Sequence, residues 1–162
     1  MSARFSLAID LGTSNSAIAI ADLESGETRI IEIAQTLGPN QIGEMPTLPS
    51  AIYIPHSEEF PEGSFPLPWN NAGERAIIGQ FARERGALVP DRVATSAKSW
   101  LSNPHIDPKQ QILPWRSDIA EEKLSPFECS RLYLQHLRDA FLNIERAQGR
   151  NWHLSEGEIV VT

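Results

Sequence analysis

Ile9-Asp10-Leu11-Gly12-Thr13-Ser14-Asn15-Ser16 joins two apolar runs, residues 5–11 and 16–23. Both runs are built from Ile, Leu and Ala with polar interruptions, the pattern of strands, so the octapeptide predicts a tight turn between antiparallel neighbours. That placement excludes two phosphate-binding devices. A P-loop or a dinucleotide fingerprint sets its glycines between a strand and a helix, so that the helix N-terminus faces the phosphate. Here a strand follows, and neither Gly-Lys-Ser/Thr nor G-x-G-x-x-G occurs. What remains is a turn in which Gly12 lets the backbone approach a ligand, N–H groups form an anion nest, and Thr13 and Ser14 add hydroxyl donors. Asp10 suits a hydrated Mg²⁺ held beside phosphates. Gly, Ser, Asn and Asp are also the ordinary turn residues, so this stretch alone leaves both readings open. The Asp-Thr-Gly motif of aspartic proteases also follows an apolar strand, but those enzymes need two aspartates sharing a proton. This chain has one Asp-x-Gly-Thr, with Leu11 in place of the motif's threonine.

Outward from the turn, residues 28–34 read as a third strand after a hairpin turn at 24–27, giving a three-stranded antiparallel meander. Residues 36–47 read as a loop rich in Gly, Pro and Asn, and 50–54 as a short strand closed by Pro55. No sustained period runs through 56–74, a long loop or insertion. Residues 76–78 suggest a strand, 79–85 a short helix stopped by Gly86 and followed by Pro90, and 95–101 one or two helical turns. The clearest helix starts at Ser125, where Ser-Pro-Phe-Glu supplies an N-cap, a first-turn proline and a capping-box Glu128. Phe127, Leu134, Leu137, Phe141 and Ile144 recur at helical spacing and predict its buried face, and Gly149 ends it. The tryptophans read as packing anchors. Residues 158–162 read as a strand with no turn after it, so we expect the chain to be the N-terminal piece of a longer protein, with a sheet edge through which it self-associates.

Composition narrows the classes further. At 162 residues, 41% apolar and 22% charged, the chain has the make-up of one globular domain or part of one. No apolar run approaches the length of a membrane span, and the run after Arg4 is too short for a signal-peptide core. The single cysteine, Cys129, makes no internal disulfide, and with the missing signal it points to a cytoplasmic location. A net charge of -7 without a basic stripe argues against nucleic acid. The four histidines stand far apart, without metal-site spacing, and are expected at the surface.

The octapeptide resembles the first phosphate loop of the DnaK-type heat-shock chaperones, members of the actin and sugar-kinase ATPase superfamily. Later segments resemble that family in order: Leu48-Pro49-Ser50-Ala51-Ile52-Tyr53 its Thr-Pro-Ser-Tyr-Val strand, and Ile78-Gly79-Gln80-Phe81-Ala82 its Ile-Gly-Asp-x-Ala helix start. Ser96-Ala97-Lys98 is similar to the segment bearing its catalytic lysine, Leu124-Ser125-Pro126-Phe127-Glu128 to the start of its long helix, and 158–162 to the strand leading into its Val-Pro-Ala. Ser99 stands where an arginine usually follows the lysine, and the Pro-rich stretch 55–74 looks like an insertion, which implies a divergent bacterial relative.

The resemblance implies an α/β fold, the N-terminal lobe of an actin-like (ribonuclease H-like) ATPase. It would have a mixed five-stranded sheet with helices over 1–36 and 125–162, and an irregular lobe over 37–124. It implies ATP/ADP and Mg as cofactors, with Gly12, Thr13, Ser14 and Asn15 binding nucleotide and Asp10 reaching the metal through water. Lys98 would act on the γ-phosphate, with Asp10 and Thr13 also catalytic. Lys98, Lys109 and Lys123 are the only lysines, and Lys98 stands at the family's position. The whole protein would be an ATPase gripping unfolded polypeptide, with co-chaperones as partners. The 162 residues, holding one phosphate loop, are expected to be inactive alone. A small-molecule kinase of the same superfamily and a non-catalytic interaction module are the alternatives.

Overall fold

The computed structural model describes residues 3–69, 76–115, 117–118 and 123–162; residues 70–74 of the Pro-rich stretch lie outside them. The two apolar runs form β1 (Phe5–Asp10) and β2 (Asn15–Asp22), antiparallel from Phe5↔Asp22 to Asp10↔Ala17. Side chains alternate across a strand. Phe5, Leu7 and Ile9 therefore share one buried face with Ile18 and Ile20, while Ser6, Ala8 and Asp10 point to the other. β3 (Thr28–Ile30) joins β2 antiparallel through the expected turn, where the Asp22 carboxylate accepts the Glu24 and Ser25 N–H groups.

The single strand expected over 28–34 is two. The chain leaves the sheet after Ile30, and β4 (Ile33–Gly38) forms a hairpin with β5 (Gln41–Met45) across residues expected as loop. Gly38, Pro39 and Asn40 make a hairpin turn in place of a break: Asn40 sits at φ 56, the left-handed region that asparagine tolerates. The strand expected over 50–54 is present over Ala51–Tyr53, and a separate short strand precedes it. β6 (Leu48–Pro49) pairs with β2, whereas β7 (Ala51–Tyr53) lies between β8 (Ile77–Ile78) and β9 (Val93–Thr95) in a separate sheet. The chain changes sheet at Ser50.

Helix α1 (Gln80–Leu88) runs through Gly86, which was expected to stop it. The terminator is Pro90, which drives the preceding Val89 out of the helical region, to φ -135 and ψ 68. A Cβ on Gly86 would lie 3.4 Å from the Val93 side chain, at the edge of ordinary van der Waals contact, and Gly86 has no positive φ, so the helix continues through it. Helix α2 (Ala97–Leu101) follows Ser96, held left-handed at φ 56.

Helix α3 (Pro126–Ala147) begins with the predicted capping box: Ser125 Oγ accepts the Glu128 N–H at 3.1 Å, and the Glu128 carboxylate accepts the Ser125 N–H at 2.8 Å. It ends at Gly149, φ 77, with the Arg150 N–H on the Glu145 carbonyl and the Gly149 N–H on the Arg146 carbonyl. Its buried stripe is Cys129, Tyr133, Leu137, Ala140 and Phe141. Phe127, expected there, is half exposed. Its N–H is tied to the Pro108 carbonyl and its ring faces the Lys109 ammonium, so the buried stripe starts one position round the helix.

β10 (Gly157–Val161) lies parallel to β1 from Phe5↔Gly157 to Ile9↔Val161. The sheet order is β10-β1-β2-β3, with β6 also on β2, so the protein is a mixed α/β structure around a mixed five-stranded sheet. Phe5 stacks on Trp152 at 4.8 Å and meets Phe141 at 5.5 Å. Trp115, by contrast, is no core anchor: it is 58% exposed and stacks on Trp100. The buried Glu145 carboxylate accepts hydrogen bonds from both Arg29 and Arg150, tying the end of α3 to β3. A smaller core, Tyr53, Ile77, Phe81, Ala82 and Val93, supports the second sheet. No helix among the described residues is long and apolar enough to cross a membrane.

His136, expected at the surface, is buried on α3, where its Nε2–H donates to the Ala34 carbonyl at 2.9 Å. Desolvation pulls its pKa below the ordinary 6.5, against the opposing pull of that hydrogen bond and of Asp139. The unfolded chain therefore binds the proton first as pH falls, so stability present above about pH 6.5 is lost below it. We expect a melting series from pH 7.5 to 5 to show an acid slope, at most about 1.4 kcal/mol per pH unit for this one proton. His136→Gln should flatten it, and an unchanged slope in that variant would remove His136 as its source.

β10 has no strand on its outer side among the described residues, and Ile159, Val160 and Val161 are 44%, 53% and 51% exposed. An apolar edge without proline or bulge is a template for pairing. Sedimentation velocity should accordingly show concentration-dependent self-association that Val160→Lys suppresses; a monomer at all concentrations would contradict this.

Candidate functional site

The end of β1 and the start of β2 meet at residues 10–16, with the end of β10 alongside. Leu11 is buried, and its N–H donates to the Thr162 carbonyl at 3.1 Å; the Thr162 N–H donates to the Ile9 carbonyl at 2.9 Å. The β1–β10 ladder thus carries on past the last residue of β1 and fixes where the turn begins. Gly12 follows. A Cβ there would stand 2.0 Å from the Asn15 carbonyl oxygen, so only glycine fits. Thr13, Ser14 and Asn15 are exposed, and no acceptor among the described residues takes the Thr13 or Ser14 N–H. Asp10, also exposed, is the only carboxylate within the turn.

Lys98, distant in sequence, is brought alongside. The left-handed Ser96 bends the chain from β9 into α2, and the Lys98 ammonium donates to the Thr162 carbonyl at 3.4 Å. That same oxygen takes the Leu11 N–H, so one carbonyl links the lysine to the start of the turn.

Two further residues hold the turn that sequence reading did not single out. Ser50 Oγ donates to the Gly12 carbonyl at 2.8 Å and lies 3.1 Å from Ser16 Oγ; the Ser50 N–H donates to the Ser14 carbonyl at 2.9 Å. Arg83, on α1, donates to Asn15 Oδ1 at 3.4 Å and to the Gln80 side chain at 2.5 Å. The one available signal for Ser50 was Pro49, which cannot continue a central strand and so marks the change of sheet. Arg83 carries no local signal, because its contact with Asn15 exists only once α1 is docked.

The electrostatic result is specific. Lys98 and Arg83 stand on either side of the turn, and no Asp or Glu side chain among the described residues pairs with either; the oxygen that takes Lys98 is that of Thr162, the last of the 162 residues. Free N–H groups, exposed hydroxyls and two nearby cations make a donor set for an anion. One carboxylate beside it suffices for Mg²⁺, which keeps most of its waters and takes its remaining ligands from phosphate. No group of three or more His, Cys, Asp or Glu among the described residues forms a metal cage. Cys129 is no nucleophile: burial, reinforced by the Glu128 charge, pushes its thiol up to about 12. No family model matches the chain.

Gly12→Ala tests the turn directly. The added methyl meets backbone, which cannot swing aside as a side chain can, so we expect a loss of about 1–3 kcal/mol in urea unfolding, with displaced amide resonances at 11–16. Wild-type stability and an unmoved spectrum would show that the turn has room for a side chain.

Proposed function

We propose that this chain is the N-terminal part of an actin-like ATPase domain of the DnaK type. The whole protein would bind Mg-ATP, hydrolyse it slowly, and use the bound state to control its grip on unfolded polypeptide. The observation that carries this reading is that Lys98 and Leu11, the residue after Asp10 where the turn begins, donate to the same Thr162 oxygen. That shared partner sets two motifs distant in sequence side by side, which supports reading them as one phosphate site.

A bound nucleotide supplies the transferable phosphoryl group. The chain's own residues do the rest. Backbone N–H groups and hydroxyls of Thr13 and Ser14, with Gly12 permitting close approach and Asn15 completing the turn, donate to phosphate oxygens. Asp10 orders the metal's waters. Lys98 places a compact positive charge where negative charge develops, the kind of preorganised electrostatics on which phosphoryl transfer depends. Grip on polypeptide and exchange with co-chaperones belong to parts of the whole protein beyond this lobe.

In the whole protein, Asp10→Ala should reduce Mg-dependent phosphate release, and Lys98→Ala should slow single-turnover hydrolysis by at least about tenfold while leaving ADP affinity within a few-fold. Unchanged turnover in both variants would refute the assignment. A large loss of ADP affinity with normal hydrolysis in Lys98→Ala would make the lysine a phosphate anchor only.

A further inference from the structure

Ser50 belongs to neither strand of the β1–β2 hairpin, yet it makes two hydrogen bonds to that hairpin's carbonyls, at Gly12 and Ser14, and is itself buried. A serine has one hydroxyl proton. That proton is committed to the Gly12 carbonyl, which only accepts, so in the contact between the two serines Ser16 is the donor and Ser50 Oγ the acceptor. The side chain of Ser50 is fixed from both sides.

A trans peptide sets the C=O of one residue antiparallel to the N–H of the next. With the Gly12 carbonyl turned toward Ser50, the Thr13 N–H is turned away from it, and no acceptor among the described residues takes that N–H. A carbonyl deprived of its partner next to a buried wall seeks water instead, because an unpaired buried acceptor is costly. If the Gly12 carbonyl rotated outward, the same planarity would carry the Thr13 N–H inward. One hydroxyl, supplied from the point where the chain changes sheet, thus decides which side of the turn presents donors.

We infer that Ser50 is a positioning residue for anion binding: it holds the Gly12 carbonyl inward and so presents the Thr13 N–H to a phosphate oxygen. The inference rests on the phosphate reading of the turn proposed above. Ser50 touches no ligand in this role; it acts through the peptide planes.

The test compares Ser50→Ala with Ser16→Ala in the 162-residue chain, labelled with ¹⁵N. Both variants remove the contact between the two hydroxyls, but only Ser50→Ala removes the bond to the Gly12 carbonyl. Thermal melting checks that each is folded, and if Ser50→Ala is not, Ser50→Cys, of similar size and with a weak donor, takes its place. We expect the unliganded Thr13 amide resonance to move in Ser50→Ala and to stay near its wild-type position in Ser16→Ala. Titration with millimolar Mg-ADP, followed at amides 13–15, should show affinity falling about fivefold in Ser50→Ala, the effect of one neutral hydrogen bond, and within twofold of wild type in Ser16→Ala. Equal effects of the two variants, or an unmoved Thr13 amide in Ser50→Ala, would overturn the positioning role while leaving the phosphate reading standing. Wild-type amides that ignore millimolar Mg-ADP would overturn anion binding by the turn within these residues, and the role of Ser50 in it.

Discussion

The ring of Phe5 fills the space that a side chain at position 157 would occupy: a Cβ on Gly157 would lie 2.2 Å from it. With nothing but hydrogen at 157, β10 can come alongside β1, and Phe5 can stack on Trp152 and lean on Phe141. The far end of the same two strands inherits the consequence. Parallel pairing in that register carries Thr162 to the beginning of the turn, where its carbonyl serves both Leu11 and Lys98. A contact at the base of the sheet therefore governs the geometry at its top, through nothing more than the fixed rise of a strand.

The second support comes from the opposite direction. β6 and β7 are separated by one residue and belong to different sheets, so Ser50 sits where the backbone leaves one hydrogen-bonding partner for another. At such a point the main chain has donors to spare, and Ser50 spends its N–H on the turn. Arg83 reaches the turn from α1 and Lys98 from α2. The loop is short, but four segments distant in sequence determine its shape and charge.

What the sequence made legible follows from the range of each interaction. The alternation of β1 and β2 and the capping box at Ser125 are local patterns, and the structure contains them as read. Gly12 too was readable, as a turn glycine, although its reason, the Asn15 carbonyl, was not. The misreadings share one cause. Gly38, Pro39 and Asn40 are breakers by type, and only pairing between β4 and β5 makes them a hairpin turn. Phe127 fits the apolar spacing of α3 and yet faces Lys109, because the chain at Pro108 crosses there. His136 looks polar in isolation and is buried because Ala34 offers it a carbonyl. Ser50 and Arg83 were hidden for the same reason: their partners lie 38 and 68 residues away, and no spacing rule encodes a contact that tertiary packing creates.

The parallel arrangement of β1 and β10 also has a mechanical meaning. β1 is entered from its lower end at Arg4, and β10 is left at its upper end at Thr162, so tension applied between these two residues pulls the neighbouring strands along their own axes in opposite senses. The ladder from Phe5↔Gly157 to Ile9↔Val161 is then loaded in shear, all of its slanted hydrogen bonds at once. Antiparallel β1 and β2, joined at their tops, would instead unzip one pair at a time if drawn apart at Arg4 and Leu23. The same sheet therefore resists force strongly along one line of traction and weakly along another, and the resistant line is the one that ends beside the turn.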